Sequence, residues 1–190
     1  MLTIKNKSCP LNPVNACVSG LSVSATILMG PDAVQGIPGR PTQFLHLISL
    51  TGSFSIYFNQ LQLCFELFNL FAKCIPSSHL QNFLKNKEIQ WLNIGFILKG
   101  KNGPLDIFLN AQKIKAETTN EMEHSSKLHA ESEPGRLLLG VPLNSFRYSA
   151  SGIRFSRIRM WTRGLTAFQL HKFIGLTCML YLLYFSQICR

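Results

Sequence analysis

Acidic side chains run out early in this chain. After Glu133 there is no Asp or Glu, while eight basic residues follow: Arg136, Arg147, Arg154, Arg157, Arg159, Arg163, Lys172 and Arg190. That absence excludes paired-carboxylate acid–base chemistry from the last third of the sequence. Charge is scarce throughout, at 15% of 190 residues, against about a quarter in ordinary soluble domains. Closely spaced cysteine pairs are missing too. The six cysteines fall loosely as Cys9 with Cys17, Cys64 with Cys74 and Cys178 with Cys189, and none has the spacing of a zinc knuckle or redox motif. Without a convincing secretory segment, the thiols are expected to be reduced and the last two to be palmitoylation candidates, which favours a cytosolic setting.

A secretory leader is expected to be absent because Pro10, Asn12, Pro13 and Asn15 interrupt the stretch after Lys5 and Lys7, leaving only Leu21–Met29 as a weak apolar core. Catalytic signatures are missing as well. There is no G-x-S-x-G elbow, no H-E-x-x-H pair and no dinucleotide glycine fingerprint. Gly95 to Asn102 comes one residue short of a phosphate-binding loop. It lacks the hydroxyl that ligates magnesium, and its bulky Phe96, Ile97 and Leu98 suit a strand. His124 and His129 have no cysteine pair to complete a zinc site, and Glu121, Glu123, Glu131 and Glu133 read as a solvated patch. The expectation is a non-enzymatic chain with no cofactor and no metal.

What the chain does have is apolar bulk, with fourteen Phe, and a formal charge of +10, of which residues after 133 supply +8. The composition divides it into five segments. Residues 1–43 are rich in Pro and Gly and read as irregular; residues 44–110 hold an apolar helix and a small β-hairpin. Residues 111–135 read as a polar linker, 136–172 as an acid-free arginine collar, and 173–190 as a candidate transmembrane tail anchor. Ser55, Asn59, Gln62, Glu66, Asn69 and Lys73 recur at steps of four and three, which predicts an amphipathic helix over residues 53–74. Phe44 to Phe58 holds no charged residue, but it is short for a span and His46 and Thr51-Gly52-Ser53 divide it, so a second membrane span, running on into the amphipathic helix over residues 44–75, is only an alternative. The hairpin is expected at residues 89–109, around Asn102-Gly103. The fold class expected is therefore mainly α and membrane-associated, ending in a hydrophobic helix.

The uncharged run after Lys172 names the anchor: Phe173, Ile174, Leu176, Met179, Leu180, Tyr181, Leu182, Leu183, Tyr184, Phe185 and Ile188. In front of it Arg154, Arg157, Arg159, Trp161, Arg163 and Lys172 interleave cations with an aromatic ring, a composition suited to headgroups or another polyanion. These patterns point to a small tail-anchored membrane protein with its body facing the cytosol, acting through lipid or protein contacts. A soluble cationic protein, cytoplasmic or nuclear and able to hold nucleic acid, is the alternative. A recently arisen reading frame without selected function is the other, because the apolar runs do not obviously support one another.

Overall fold

Between Leu21 and Ile27 apolar and polar side chains alternate strictly, and a period of two places all the apolar ones on one face of an extended strand. The computed structural model describes residue 9 and residues 17–29, 45–59, 62–67, 71–75, 90–100, 103–119, 135–142 and 153–173. In it this stretch is β1 (Leu21–Met29), with Leu21, Val23, Ala25 and Ile27 fully buried. Ten more strands follow: β2 (Leu45–Leu50), β3 (Phe54–Asn59), β4 (Gln62–Leu67), β5 (Phe71–Ile75), β6 (Gln90–Leu98), β7 (Leu105–Leu109), β8 (Gln112–Ile114), β9 (Glu117–Thr119), β10 (Leu137–Pro142) and β11 (Ile153–Trp161). They form a five-stranded sheet in the order β11-β1-β6-β7-β8 and a six-stranded sheet in the order β10-β2-β3-β4-β5-β9. Every pairing is antiparallel.

The two sheets share one apolar core. Leu21, Val23, Ile27, Ile94, Phe96 and Ile107 come from the first sheet, and Ile48, Leu50, Phe54, Ile56, Leu63, Phe65 and Leu67 from the second. Phe54 of β3 and Phe96 of β6 meet edge to face across the interior, with centroids 5.3 Å apart. This is a β-sandwich, and it replaces the mainly α expectation. Among the described residues the one helix is α1 (167–173), and no helix there is long and apolar enough to cross a membrane.

The amphipathic helix expected over residues 53–74 is instead β3, β4 and β5. The misleading period has a plain origin. Ser55 and Glu66 stand opposite each other on the outer face of the sheet, whereas Asn59 ends β3 and Gln62, its pairing partner, begins β4. Strands of about six residues joined by short turns repeat polar positions at intervals that mimic three and four. Residues 45–59 likewise resolve into β2, a turn at 51–53 and β3, which takes the place of the second spanning helix. The hairpin expected at 89–109 falls on β6 and β7, paired from Leu98↔Leu105 to Ile94↔Leu109, but inside a larger sheet.

Two of the loose cysteine pairs are bridged, Cys9–Cys17 and Cys64–Cys74, and no free cysteine remains among the described residues. The reduced-thiol expectation is corrected on this point. Cys178 and Cys189 lie outside the described residues, as do His124, His129 and the acidic patch.

Two glycines are fixed by close backbone approach. Gly20, at φ +92°, opens β1 where a Cβ would run into the carbonyl oxygen of Leu98. Gly95 lies in the middle of β6, and there a Cβ would sit 2.6 Å from the carbonyl oxygen of Val23.

Candidate binding face on the five-stranded sheet

Edge strand β11 has two different faces. Phe155, Ile158 and Met160 pair with Ile27, Ala25 and Val23 and pack against the core. Arg154, Arg157, Arg159 and Trp161 pair with Leu28, Thr26, Ser24 and Ser22 and therefore project from the opposite, outer face. An irregularity in pairing between Thr26 and Ile27 leaves Ser156 as the extra residue. That extra residue keeps the arginines on one face on both sides of it, although strict alternation would have put Arg154 and Arg157 on opposite faces.

Polar groups continue this face inward. Thr26 Oγ1 donates to Asn93 Oδ1 at 2.7 Å. The Asn93 amide donates to Asn110 Oδ1 at 2.9 Å, and the Asn110 amide returns a bond to the Asn93 carbonyl at 2.8 Å. Asn110 and Ala111 form the two-residue β7–β8 turn with φ of 47° and 66°, the positive values that such a turn demands. Asn accepts this region readily because its short amide hydrogen-bonds locally.

Burial, and after it the like charge of Arg157, lowers the pKa of Arg159. Its Nη1 donates to the carbonyl of Phe173 at 2.7 Å, which holds the guanidinium against the end of α1. Arg154 is exposed.

Helix α1 covers one end of the same face. Thr166 and Gln169 exchange side-chain-to-backbone hydrogen bonds, Thr166 N to Gln169 Oε1 at 2.9 Å and Gln169 N to Thr166 Oγ1 at 3.1 Å, a capping box that starts the helix. Leu165 before the cap and Leu170 after it are both buried with Ile97 and Phe108, the staple that often accompanies such a cap. Ser22 Oγ donates to the Arg163 carbonyl and accepts from the Leu165 amide, each at 2.8 Å, fixing the approach to the helix on the sheet. Trp161 stacks on Phe173 with centroids 5.2 Å apart.

Asp106 is the acid on this face, opposite Ile97. Lys99 and Lys113 each reach one of its oxygens at 2.8 Å. Burial pushes its carboxyl up, but hydrogen bonds and charges from the two lysines outweigh that and hold it below the usual carboxylate range. A lowered folded-state pKa stabilises above the unfolded value and is lost as pH falls through the folded value. Asp106 therefore contributes in full at neutral pH; the contribution starts to fall near the ordinary carboxylate value of about 4 and is gone only across the range below its lower, folded-state value. In acid titrations followed by thermal melting, Asp106→Asn should be less stable than wild type at pH 7 and converge with it below that range.

The sequence-predicted residues divide as follows. Arg154, Arg157, Arg159 and Trp161 come together on the outer face of β11, while Arg163 and Lys172 are exposed at the α1 end. Phe173, the first residue of the expected anchor, instead ends α1 and packs on Trp161. The transmembrane tail-anchor reading is overturned by this β-rich fold and by the absence of any membrane-length apolar helix among the described residues. Ile174, Leu176, Met179, Leu180, Tyr181, Leu182, Leu183, Tyr184, Phe185 and Ile188 lie outside them. Thr26, Asn93, Asn110 and Phe168 were missed. The alternation in Leu21–Ile27 and the Thr166-x-x-Gln169 spacing were the signals that could have found two of them.

The outer face of the six-stranded sheet is also polar, but closed. His46 Nδ1 lies 2.8 Å from Ser49 Oγ, and His46, Ser49 and Ser55 are fully buried. An imidazole beside a hydroxyl resembles a base and nucleophile, yet at 0% exposure for both residues no substrate reaches them in this conformation.

The class defined by this arrangement is an antiparallel β-sandwich with a cationic outer face. No family model matches the sequence, and no curated protein does. Solved structures do match. They include the receptor binding domain of botulinum neurotoxin D (TM-score 0.54, 10% identity, 84% of this chain and 37% of that one). Another is the binding domain of Paraclostridial Mosquitocidal Protein 1 (TM-score 0.54, 13% identity, 85% and 38%). A third is the binding domain of botulinum neurotoxin DC in complex with rat synaptotagmin II (TM-score 0.50, 12% identity, 85% and 37%). At these identities the likeness is one of fold, and this chain spans little more than a third of those domains.

Proposed function

We propose that this chain is a non-enzymatic binding module that recognises an anionic partner through the outer face of its five-stranded sheet. The observation that carries the reading is the alignment of Arg154, Arg157 and Arg159 on one face of β11. Three cations on one strand face repel one another, and Arg159 already has its charged form disfavoured by burial and by Arg157. An anion seated between them would relieve that repulsion. Thr26, Asn93 and Asn110 add hydrogen-bonding groups beside the arginines, of the kind that orients a polar ligand. Several solved domains of this architecture carry binding or receptor-binding in their names, and one is bound to a protein. The two disulfides support an oxidising compartment, where the partner would be a surface or soluble polyanion.

Retention on immobilised heparin tests this. The wild-type chain should elute at a salt concentration that falls when Arg154→Gln and Arg157→Gln are introduced. The slope of log affinity against log salt should drop by about one for each arginine removed. Arg136→Gln, which removes the same charge beside the other sheet, should elute with wild type. Equal elution of all variants would sink the proposal, and retention on RNA alone would return the case to nucleic-acid binding.

A further inference from the structure

Leu165 ahead of α1 and Leu170 and Phe173 within it pack inward, while the side of the helix turned away from them is exposed. That outward side carries Phe168, 77% exposed, with His171 and Lys172 also exposed. Residues three and four apart share one side of a helix, so Phe168, His171 and Lys172 form one strip. Val18, 72% exposed, stands on the turn before β1. Gly164 N donates to the Ser19 carbonyl at 2.6 Å, which ties that turn to the segment leading into α1 at the same end of the sandwich. Arg163 is exposed in the same segment.

We propose that this end of the sandwich docks on an anionic bilayer, with Phe168 and Val18 entering the headgroup region and Arg163 and Lys172 resting on lipid phosphates. Two isolated apolar side chains are far too little for a stable protein interface, which buries about 800 Å² per partner. A bilayer imposes no such minimum, since single apolar side chains add to attraction between cations and anionic headgroups. Charge complementarity favours it as well. No Asp or Glu occurs after residue 133, and the acid on this sheet, Asp106, is held between two lysines. The docking is peripheral, and it goes beyond the polyanion reading because a different set of side chains carries it.

Co-sedimentation with phosphatidylcholine vesicles, with and without phosphatidylglycerol, tests the proposal on the full chain. Wild type should prefer the anionic vesicles. Phe168→Ser should weaken partitioning about tenfold, the loss expected from one aromatic anchor, while Phe168→Leu stays near wild type and heparin elution of both is unchanged. Arg163→Gln and Lys172→Gln should each cost roughly fivefold on anionic vesicles at low salt and nothing on neutral ones. Equal partitioning of Phe168→Ser and wild type, or a Phe168→Leu loss as large as that of Ser, overturns the proposal. If wild type binds heparin but ignores both vesicle types, bilayer docking falls and the polyanion reading stands. If vesicles discriminate Phe168→Ser while heparin does not discriminate the Arg154 and Arg157 variants, the reverse holds.

Discussion

Phe54→Ala should destabilise the protein by about 3–5 kcal/mol, a substantial share of the roughly 5–15 kcal/mol available to a domain. Phe54 is fully buried and lies against Phe96, which is 1% exposed and comes from the other sheet. Truncation therefore removes the apolar contact of one sheet with the other and leaves a cavity that two hydrogen-bonded sheets cannot readily close. Phe96→Ala should cost a similar amount. The double variant should lose less than the sum by about 0.5–1.5 kcal/mol, since each single change already abolishes the edge-to-face pair. Urea unfolding followed by far-ultraviolet circular dichroism measures all three. A shift below about 0.5 kcal/mol for either single variant, the range of surface substitutions, would mean that the sheets do not share this core. The folded spectrum itself should be that of a β protein.

The β architecture was legible in places and hidden in others, for physical reasons. Leu21–Ile27 shows the period of two openly, because one face of β1 meets the core and the other carries Ser22, Ser24 and Thr26. β3 and β4 hide it, because Tyr57 and Cys64 on the outer face are as apolar as the core residues beside them and are themselves buried. A strand buried on both faces reads as a continuous apolar run, which periodicity cannot separate from a helix. β5 adds Lys73, paired with core-facing Phe65, whose Nζ reaches across to donate to the Leu105 carbonyl at 3.3 Å. Its charge completed an apparent polar stripe that belongs to two different faces.

The candidate site shows the same division. Arg154, Arg157, Arg159, Trp161, Arg163 and Lys172 were singled out by composition; the first four fall on β11, Lys172 on α1 and Arg163 in the segment between them. The common face of the four on β11 could not be read, because Arg154 and Arg157 stand three positions apart and only the extra residue Ser156 brings them to one side. The anchor reading failed at Phe173, where an apolar run beginning after Lys172 looked continuous although its first ring belongs to the cluster under α1. Hydrophobicity alone does not say whether a side chain meets lipid or protein.

Loss of the Cys64–Cys74 bridge should cost about 2–4 kcal/mol and lower the melting temperature by roughly 4–16 °C for a chain of this size. The two cysteines stand directly opposite each other on β4 and β5 and close a separation of ten residues. In the chain-entropy account, the bridge acts chiefly by restricting the unfolded chain, so its contribution persists even though the hairpin is already hydrogen-bonded. Cys64→Ala with Cys74→Ala isolates this bridge. Cys9→Ala with Cys17→Ser tests the other, which ties residue 9 to the buried Cys17 at the base of β1. Wild type melted in excess reductant should approach the variant carrying all four changes, and each bridged variant should fall between. If reductant leaves the wild-type melting temperature unmoved while thiol labelling shows the bridges open, the sandwich stands without them and a reducing compartment becomes acceptable. If it collapses the melt, the protein depends on oxidation for its stability, and the anionic partner must be sought where disulfides survive.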